Sequence, residues 1–158
     1  MRIETDDLSR PQVIELLAEH LRDMRELSPA ESVHALDVDG LRAPGIAFWT
    51  VWEEGALLGC GALKELTATH GEVKSMRTPA DRRRRGVGRA MLSHIVSVAR
   101  GRGYRRLSLE TGSHPAFLPA QALYESFGFR PCGPFADYGE DPHSVYMTLD
   151  LGASAAGP

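Results

Sequence analysis

One stretch of this chain has an obvious chemical use, Arg82-Arg83-Arg84-Arg85-Gly86-Val87-Gly88-Arg89. It lies between a strand-like segment, Glu72 to Thr78, and a helical run from Ala90 to Arg100. Glycines at 86 and 88 let the backbone turn tightly and let a ligand approach it closely. The first N–H groups of a helix lack intrahelical acceptors and carry partial positive charge. A basic turn that opens a helix can therefore hold a phosphate or pyrophosphate. For the turn taken alone, a solvated run of charge is the plainer alternative. It is neither a Gly-x-x-x-x-Gly-Lys-Ser/Thr loop nor a three-glycine dinucleotide fingerprint.

The charge distribution supports a local anionic ligand. Net charge is −3, yet residues 82–106 hold nine of the 18 Lys and Arg and no Asp or Glu. The remaining residues set nine bases against 21 acids. A nucleic-acid binder would be basic overall, with aromatics among the bases, and Tyr104 is the only aromatic in this stretch. Nucleic acid is accordingly not an expected partner. Cys60 and Cys132 make neither a disulfide framework nor a metal-ligand set, so no metal is expected. No apolar run approaches the ~20 residues that span a bilayer, and the acidic N-terminus lacks a signal-peptide core. A cytoplasmic protein without a membrane partner is the expectation.

The 158 residues suit one domain over 1–151, followed by a small-residue tail over 152–158. Met1–Thr5 reads as an edge strand. Ser9-x-x-Gln12 reads as a capping box, with Pro11 in the first turn of a helix. Val13, Leu16, Leu17, Leu21 and Met24 share one face of that helix, with His20 at the core edge. Ser28 to Pro44 is loop or broken helix and contains His34, Glu31, Asp37 and Asp39. Ile46–Trp52 and Leu57–Leu66 form a hairpin, and Glu72–Thr78 completes a meander. Gly59 and Gly61 mark a bulge in the second strand. Trp49 and Trp52 read as sheet-packing residues.

The helix after the basic turn is amphipathic, with Arg89, Ser93, Ser97 and Arg100 on its polar stripe. Gly101 and Gly103 end it. Arg105–Thr111 is the next strand, and a right-handed crossover makes it parallel to 72–78. A further helix runs from near Pro115 to Phe127, with Leu118, Ala122, Leu123 and Phe127 as its apolar residues. Strands from Gly128 and over Ser144–Leu151 close the chain, separated by a loop carrying Asp137, Glu140 and Asp141.

Arg83-x-x-Gly86-x-Gly88 resembles the coenzyme A pyrophosphate loop of the GNAT superfamily of N-acetyltransferases. Ala120-x-x-Leu123-Tyr124-x-x-x-Gly128-Phe129 resembles a second segment of that family, in the expected order. The element order is similar too, and the likeness covers nearly the whole chain. It implies an α/β (α+β) fold with a mixed sheet of six to seven strands and about four helices. It also implies acetyl-CoA as cosubstrate and an amine as acceptor, placing the chain in a bacterial branch of uncertain substrate.

The likeness carries over residue by residue. Backbone groups of Met76, Arg77 and Thr78 would pair with the pantetheine arm, with the Met76 N–H as oxyanion donor. Backbone N–H groups of Arg84, Arg85, Gly86, Val87 and Gly88 would hold the pyrophosphate, with Arg83 at the family's Gln/Arg position. Arg82, Arg84, Arg85 and Arg89 could meet the 3′-phosphate. Phe117 stands where the family often has Asn. Tyr124 matches the general acid, and its alternative is a packing tyrosine. Glu72 is the first choice of general base, with Glu110 and His34 behind it. Acids in 31–39 and 137–141 could draw in a cationic amine, or could be ordinary solvated charge. The expected activity is acetyl transfer to a small-molecule, amino-acid or peptide amine in a ternary complex. A non-catalytic coenzyme A sensor and a protein-lysine acetyltransferase are the rivals, and a homodimer is possible.

Overall fold

A computed structural model describes residues 1–79 and 86–152. Arg82 to Arg85 of the basic turn and the tail beyond Gly152 lie outside the described residues. Strand β1 (Arg2–Thr5) leads to helix α1 (Pro11–Leu27), a 3₁₀ turn at Ala30–Ser32 and the short helix α2 (Val38–Leu41). The meander is β2 (Ile46–Glu53), β3 (Ala56–Thr67) and β4 (His70–Arg77). Helix α3 (Val87–Gly101), β5 (Arg106–Gly112), α4 (Leu118–Ser126), β6 (Arg130–Cys132) and β7 (Ser144–Asp150) follow.

The seven strands form one sheet in the order β1-β2-β3-β4-β5-β7-β6. Pairing among them is antiparallel except between β4 and β5, which run parallel. Each face of the sheet carries its own core. Trp49, Leu63, Val73 and Leu107 pack on the α3 side, against Met91, Leu92 and Ile95. Phe48, Trp52, Cys60 and Ala62 pack on the α1 side, against Val13, Leu16 and Leu17. The alternation of β2 puts Trp49 and Trp52 into opposite cores. The Trp52 indole N–H donates to Thr50 Oγ1 at 2.7 Å, so that polar edge is satisfied inside.

Several local expectations need correction. The capping box at Ser9 does not form. Arg10 is the N-cap of α1 and makes no side-chain cap. Ser9 instead donates to Asp7, which has taken its hydroxyl for an Asx-type turn. Helix α4 packs half-buried Leu123 and, at its C-cap, Phe127 against the core. Tyr124 is its buried residue, while Leu118 is 57% exposed. Gly59 and Gly61 serve close packing. A Cβ on Gly59 would stand 2.8 Å from Val87 Cγ1, and one on Gly61 would stand 2.6 Å from Met91 Cγ. A bulge does lie on β3 beside Gly59, where Val51 pairs with Gly59 and Trp52 with Leu57, and a second lies on β4. Cys60 pairs with Arg77 and Ala62 with Lys74, so Gly61 faces both Ser75 and Met76.

Candidate active site

Two local features of β4 and β5 open a cleft. Their parallel ladder runs over His70–Arg106, Gly71–Leu107 and Glu72–Ser108, and then stops. Beyond it, Ser75 adopts a left-handed φ of 54°. For a residue with a Cβ this costs about 1–3 kcal/mol, and such strain gathers at functional sites. The bulge turns β4 away from β5. The resulting cleft of about 740 Å³ is lined by β4, the start of α3, the end of β5 and α4. The second half of α1 and residues 32–35 form its far wall.

At one end lies the start of α3. Gly86 is its N-cap, with φ +78° and no side-chain cap. No atom lies within 4 Å of where its Cβ would be. Gly86, Val87, Gly88 and Arg89 all line the cleft. Among the described residues, no side chain caps the first N–H groups of this fifteen-residue helix, the kind of helix start that can receive an anion. Arg89 is aimed by its neighbours. Its Nη2 donates to Ser126 Oγ at 3.0 Å, and its guanidinium lies 5.3 Å from the centre of the Phe127 ring. The remaining turn residues proposed to bind phosphate, Arg83, Arg84 and Arg85, fall outside the described residues.

The middle of the cleft holds Met76, Arg77, Thr78, Phe117 and Tyr124. The Arg77 side chain turns away from a carrier role. It donates to Glu19 Oε1 at 2.6 Å and also pairs with Asp23, tying β4 to α1. Its backbone remains on the cleft wall. The Phe117 ring covers the end of β5, since a Cβ on Gly112 would stand 2.1 Å from its Cε2. An apolar ring therefore occupies the position where the family often has an amide. Tyr124 is buried, with its ring 5.8 Å from Phe129. Burial pushes its phenol up to about 12. No described residue is a hydrogen-bond partner of its hydroxyl.

The far end holds three ionisable residues, Glu72, Lys74 and Glu110. Alternation along β4 sets Glu72 and Lys74 on one face. Their side chains are 3% and 8% exposed, and Lys74 Nζ lies 3.2 Å from Glu72 Oε2. Lys74 also donates to Tyr138 Oη at 3.0 Å, and the Tyr138 hydroxyl donates to Glu72 in turn. The Glu72 carboxylate, expected to be a free base, is therefore already held by a cation and a phenol.

Glu110 is in a different position. Ser144 Oγ donates to it at 2.9 Å, and it has no ion pair among the described residues. Burial raises its carboxyl to about 7, against the lowering effects of Ser144 and Lys74. His34 also lines the cleft, its ring edge-on to Tyr138 with centroids 5.0 Å apart. The acids of 31–39 and 137–141 do not line the cleft. Asp37 caps α2, and Asp141 is engaged by Ser32 and the His143 N–H.

Motif spacing alone missed the part of Tyr138, Lys74 and Ser144. Alternation on β4 could have flagged Lys74. Tyr138 joins the cluster across 66 residues of sequence, and no local signal points to it.

Known proteins resemble this chain in sequence and in fold. The model of the acetyltransferase (GNAT) family matches residues 12–129. The chain is 58% identical to the uncharacterized N-acetyltransferase YsnE of Bacillus subtilis strain 168, over 96% of this chain and all of that protein. It is 52% identical to the uncharacterized N-acetyltransferase YedL of Escherichia coli K12, over 94% of each chain. Among solved structures, an aminoglycoside 6′-N-acetyltransferase complexed with coenzyme A superposes with a TM-score of 0.69. It is 16% identical and covers 95% of this chain and 97% of that one, a likeness of fold. With a family model spanning most of the chain and relatives matched along their full length, this protein belongs to the GNAT family and is an N-acetyltransferase.

Proposed function

We propose that this chain moves the acetyl group of acetyl-CoA to a primary amine of a small molecule, amino acid or peptide, by direct attack in a ternary complex. The observation that carries this reading is the single continuous cleft. It joins the uncapped start of α3, the β4–β5 opening and the pair Tyr124 and Glu110. The helix start would take the carrier's pyrophosphate, and Arg89 would take a further phosphate. Backbone groups of Met76 to Thr78 would align the pantetheine arm along β4, with the Met76 N–H at the developing oxyanion.

In the transfer, the amine nitrogen bonds to the thioester carbon, the C–S bond breaks, and one proton is released overall. Glu110 is the proton acceptor in this reading, replacing Glu72. A carboxyl near 7 is half ionised at neutral pH and matched to proton transfer. Tyr124 serves the leaving sulfur. A free thiol has a pKa of ~8.5. Full transfer from a phenol near 12 would be uphill by roughly 5 kcal/mol. Tyr124 therefore donates a hydrogen bond to the departing thiolate and remains protonated. Cys60 and Cys132 do not line the cleft, which favours direct attack over an acetyl-cysteine intermediate.

The test is thiol release from acetyl-CoA over a panel of amines, with calorimetry of coenzyme A binding beside it. Binding together with amine-dependent release is the expected result. Binding without release from any amine would leave the coenzyme A sensor as the better reading.

A further inference from the structure

We infer that the acceptor is a cationic primary amine that carries no carboxylate beside the amine, with an apolar group next to it. This rests on the transfer reading above and names the acceptor class that reading leaves open. The argument is one of charge matching at the far end of the cleft. Besides the histidines His20 and His34, the basic side chains on this half of the cleft are, among the described residues, Lys74 at the far end and Arg77 toward the middle. Both are already neutralised. Lys74 is paired with Glu72, and Arg77 is shared by Glu19 and Asp23.

The Lys74 ammonium has three N–H donors. They are directed at Glu72, at Tyr138 Oη and, at 3.5 Å, at the His34 carbonyl. The charge at this end that lacks an ion partner is the Glu110 carboxylate. Glu19, Asp23 and Glu72 face Lys74 and Arg77, so these pairs already hold one acid in excess, and an ionised Glu110 adds a second.

An ammonium entering here completes the balance. A carboxylate on the neighbouring carbon would instead be buried among acids whose cations are already taken. The wall opposite is built from half-buried Met24, Leu27, Val33 and Ala35. These four side chains receive an apolar group and offer an anion no donor of their own, while Ser28, Ser32 and His34 on the same wall carry polar atoms but no paired cation. Tyr138 helps hold this arrangement, since its hydroxyl touches both members of the Lys74–Glu72 pair. It keeps Lys74 turned to Glu72 and away from an incoming anion.

Matched amines that differ only by an α-carboxylate test this on the full chain. One set is leucine, leucinamide and 3-methylbutylamine, compared by kcat/KM in the thiol-release assay. Both carboxylate-free members should exceed leucine by about tenfold or more. 3-Methylbutylamine is more basic than leucine, so a preference for it cannot come from easier deprotonation. In a Glu72→Gln variant Lys74 loses its counter-ion, and the discrimination against leucine should narrow or invert. Should that variant not fold, the wild-type comparison still decides. Across such pairs, carboxylate-bearing members used equally well or better would overturn the inference while leaving acetyl transfer standing. No release from either member of any pair, with coenzyme A bound, would overturn the transfer reading itself.

Discussion

Glu110 and Glu72 are two carboxylates of one cleft with opposite surroundings. Glu72 has a cation and a phenol on one oxygen, whereas Glu110 has a single hydroxyl donor. The groups whose charge acts on Glu110 are Lys74 on β4, which lowers it, and Glu72 and Asp141, which raise it. Burial outweighs them and sets its carboxyl to about 7. The kcat/KM profile should therefore show a rising limb near pH 7. In Glu110→Gln that limb should vanish and the rate fall by about 10²–10⁴-fold.

The same residue predicts a gain in stability. Its folded value lies above the ordinary 4.5, so the folded state holds more protons between these two values. Its contribution is fully present below pH 4.5 and is lost as pH rises to about 7. Glu110→Gln should therefore be more stable than wild type at pH 8, by up to about 3 kcal/mol in urea melts. Tyr124→Phe should lower kcat while leaving coenzyme A affinity unchanged by calorimetry.

At the scale of elements, the packing of β3 under α3 sets where α3 begins. Gly59 has no room for a side chain, since its Cβ would also stand 2.9 Å from the Arg77 carbonyl oxygen. Gly59→Ala should cost about 1–3 kcal/mol and weaken coenzyme A binding, because Val87 is the first residue of α3. The α1–β4 contact adds an acid-sensitive joint. Burial and the nearby Arg77 lower the buried His20 to about 4, while Asp23 pulls the other way. Between about 4 and 6.5 the unfolded chain binds the extra proton, so stability falls as pH drops through that window. His20→Gln should flatten that fall in thermal melts.

Most elements were legible from periodicity and turn residues. The meander, the α3 amphipathicity and the parallel β4–β5 pair follow from alternation, helical spacing and crossover handedness. The bulge beside Gly59 in β3 was legible because glycine weakens a strand. The one on β4 was not, because Ser75 carries no such signal. The capping box failed because a competing partner stands close by in sequence. Ser9 had a nearer acceptor in Asp7 than the helix N–H groups.

For the molecule as a whole, carrier binding and folding are linked. A ligand at 100 times its Kd stabilises the native state by about 2.7 kcal/mol. For a chain of 158 residues, that corresponds to a rise in melting temperature of roughly 5–10 °C. Replacing Gly86 and Gly88 together by bulky residues should abolish this rise. The proposed carrier end could be named from sequence because a short turn and a helix start are local signals, and Arg82 to Arg85 of that turn lie outside the described residues. The acceptor end could not, because it is assembled from distant residues. Ser32 and His34 come from one connection, Tyr138 and Asp141 from another, and they meet over β4. Among the described residues no helix is long and apolar enough to cross a membrane, and no cluster of metal-binding side chains forms.

The connection between β6 and β7 reaches the cleft from behind, through the Tyr138 phenol on Glu72 and through Asp141 on Ser32, and leads into Ser144, which holds Glu110. Swapping residues 133–143 for a sequence of equal length would thus release Glu72 from its phenol while leaving the start of α3 unchanged. Substrate preference in this scaffold can drift by remodelling one surface strap, while the grip on the thioester stays as it was.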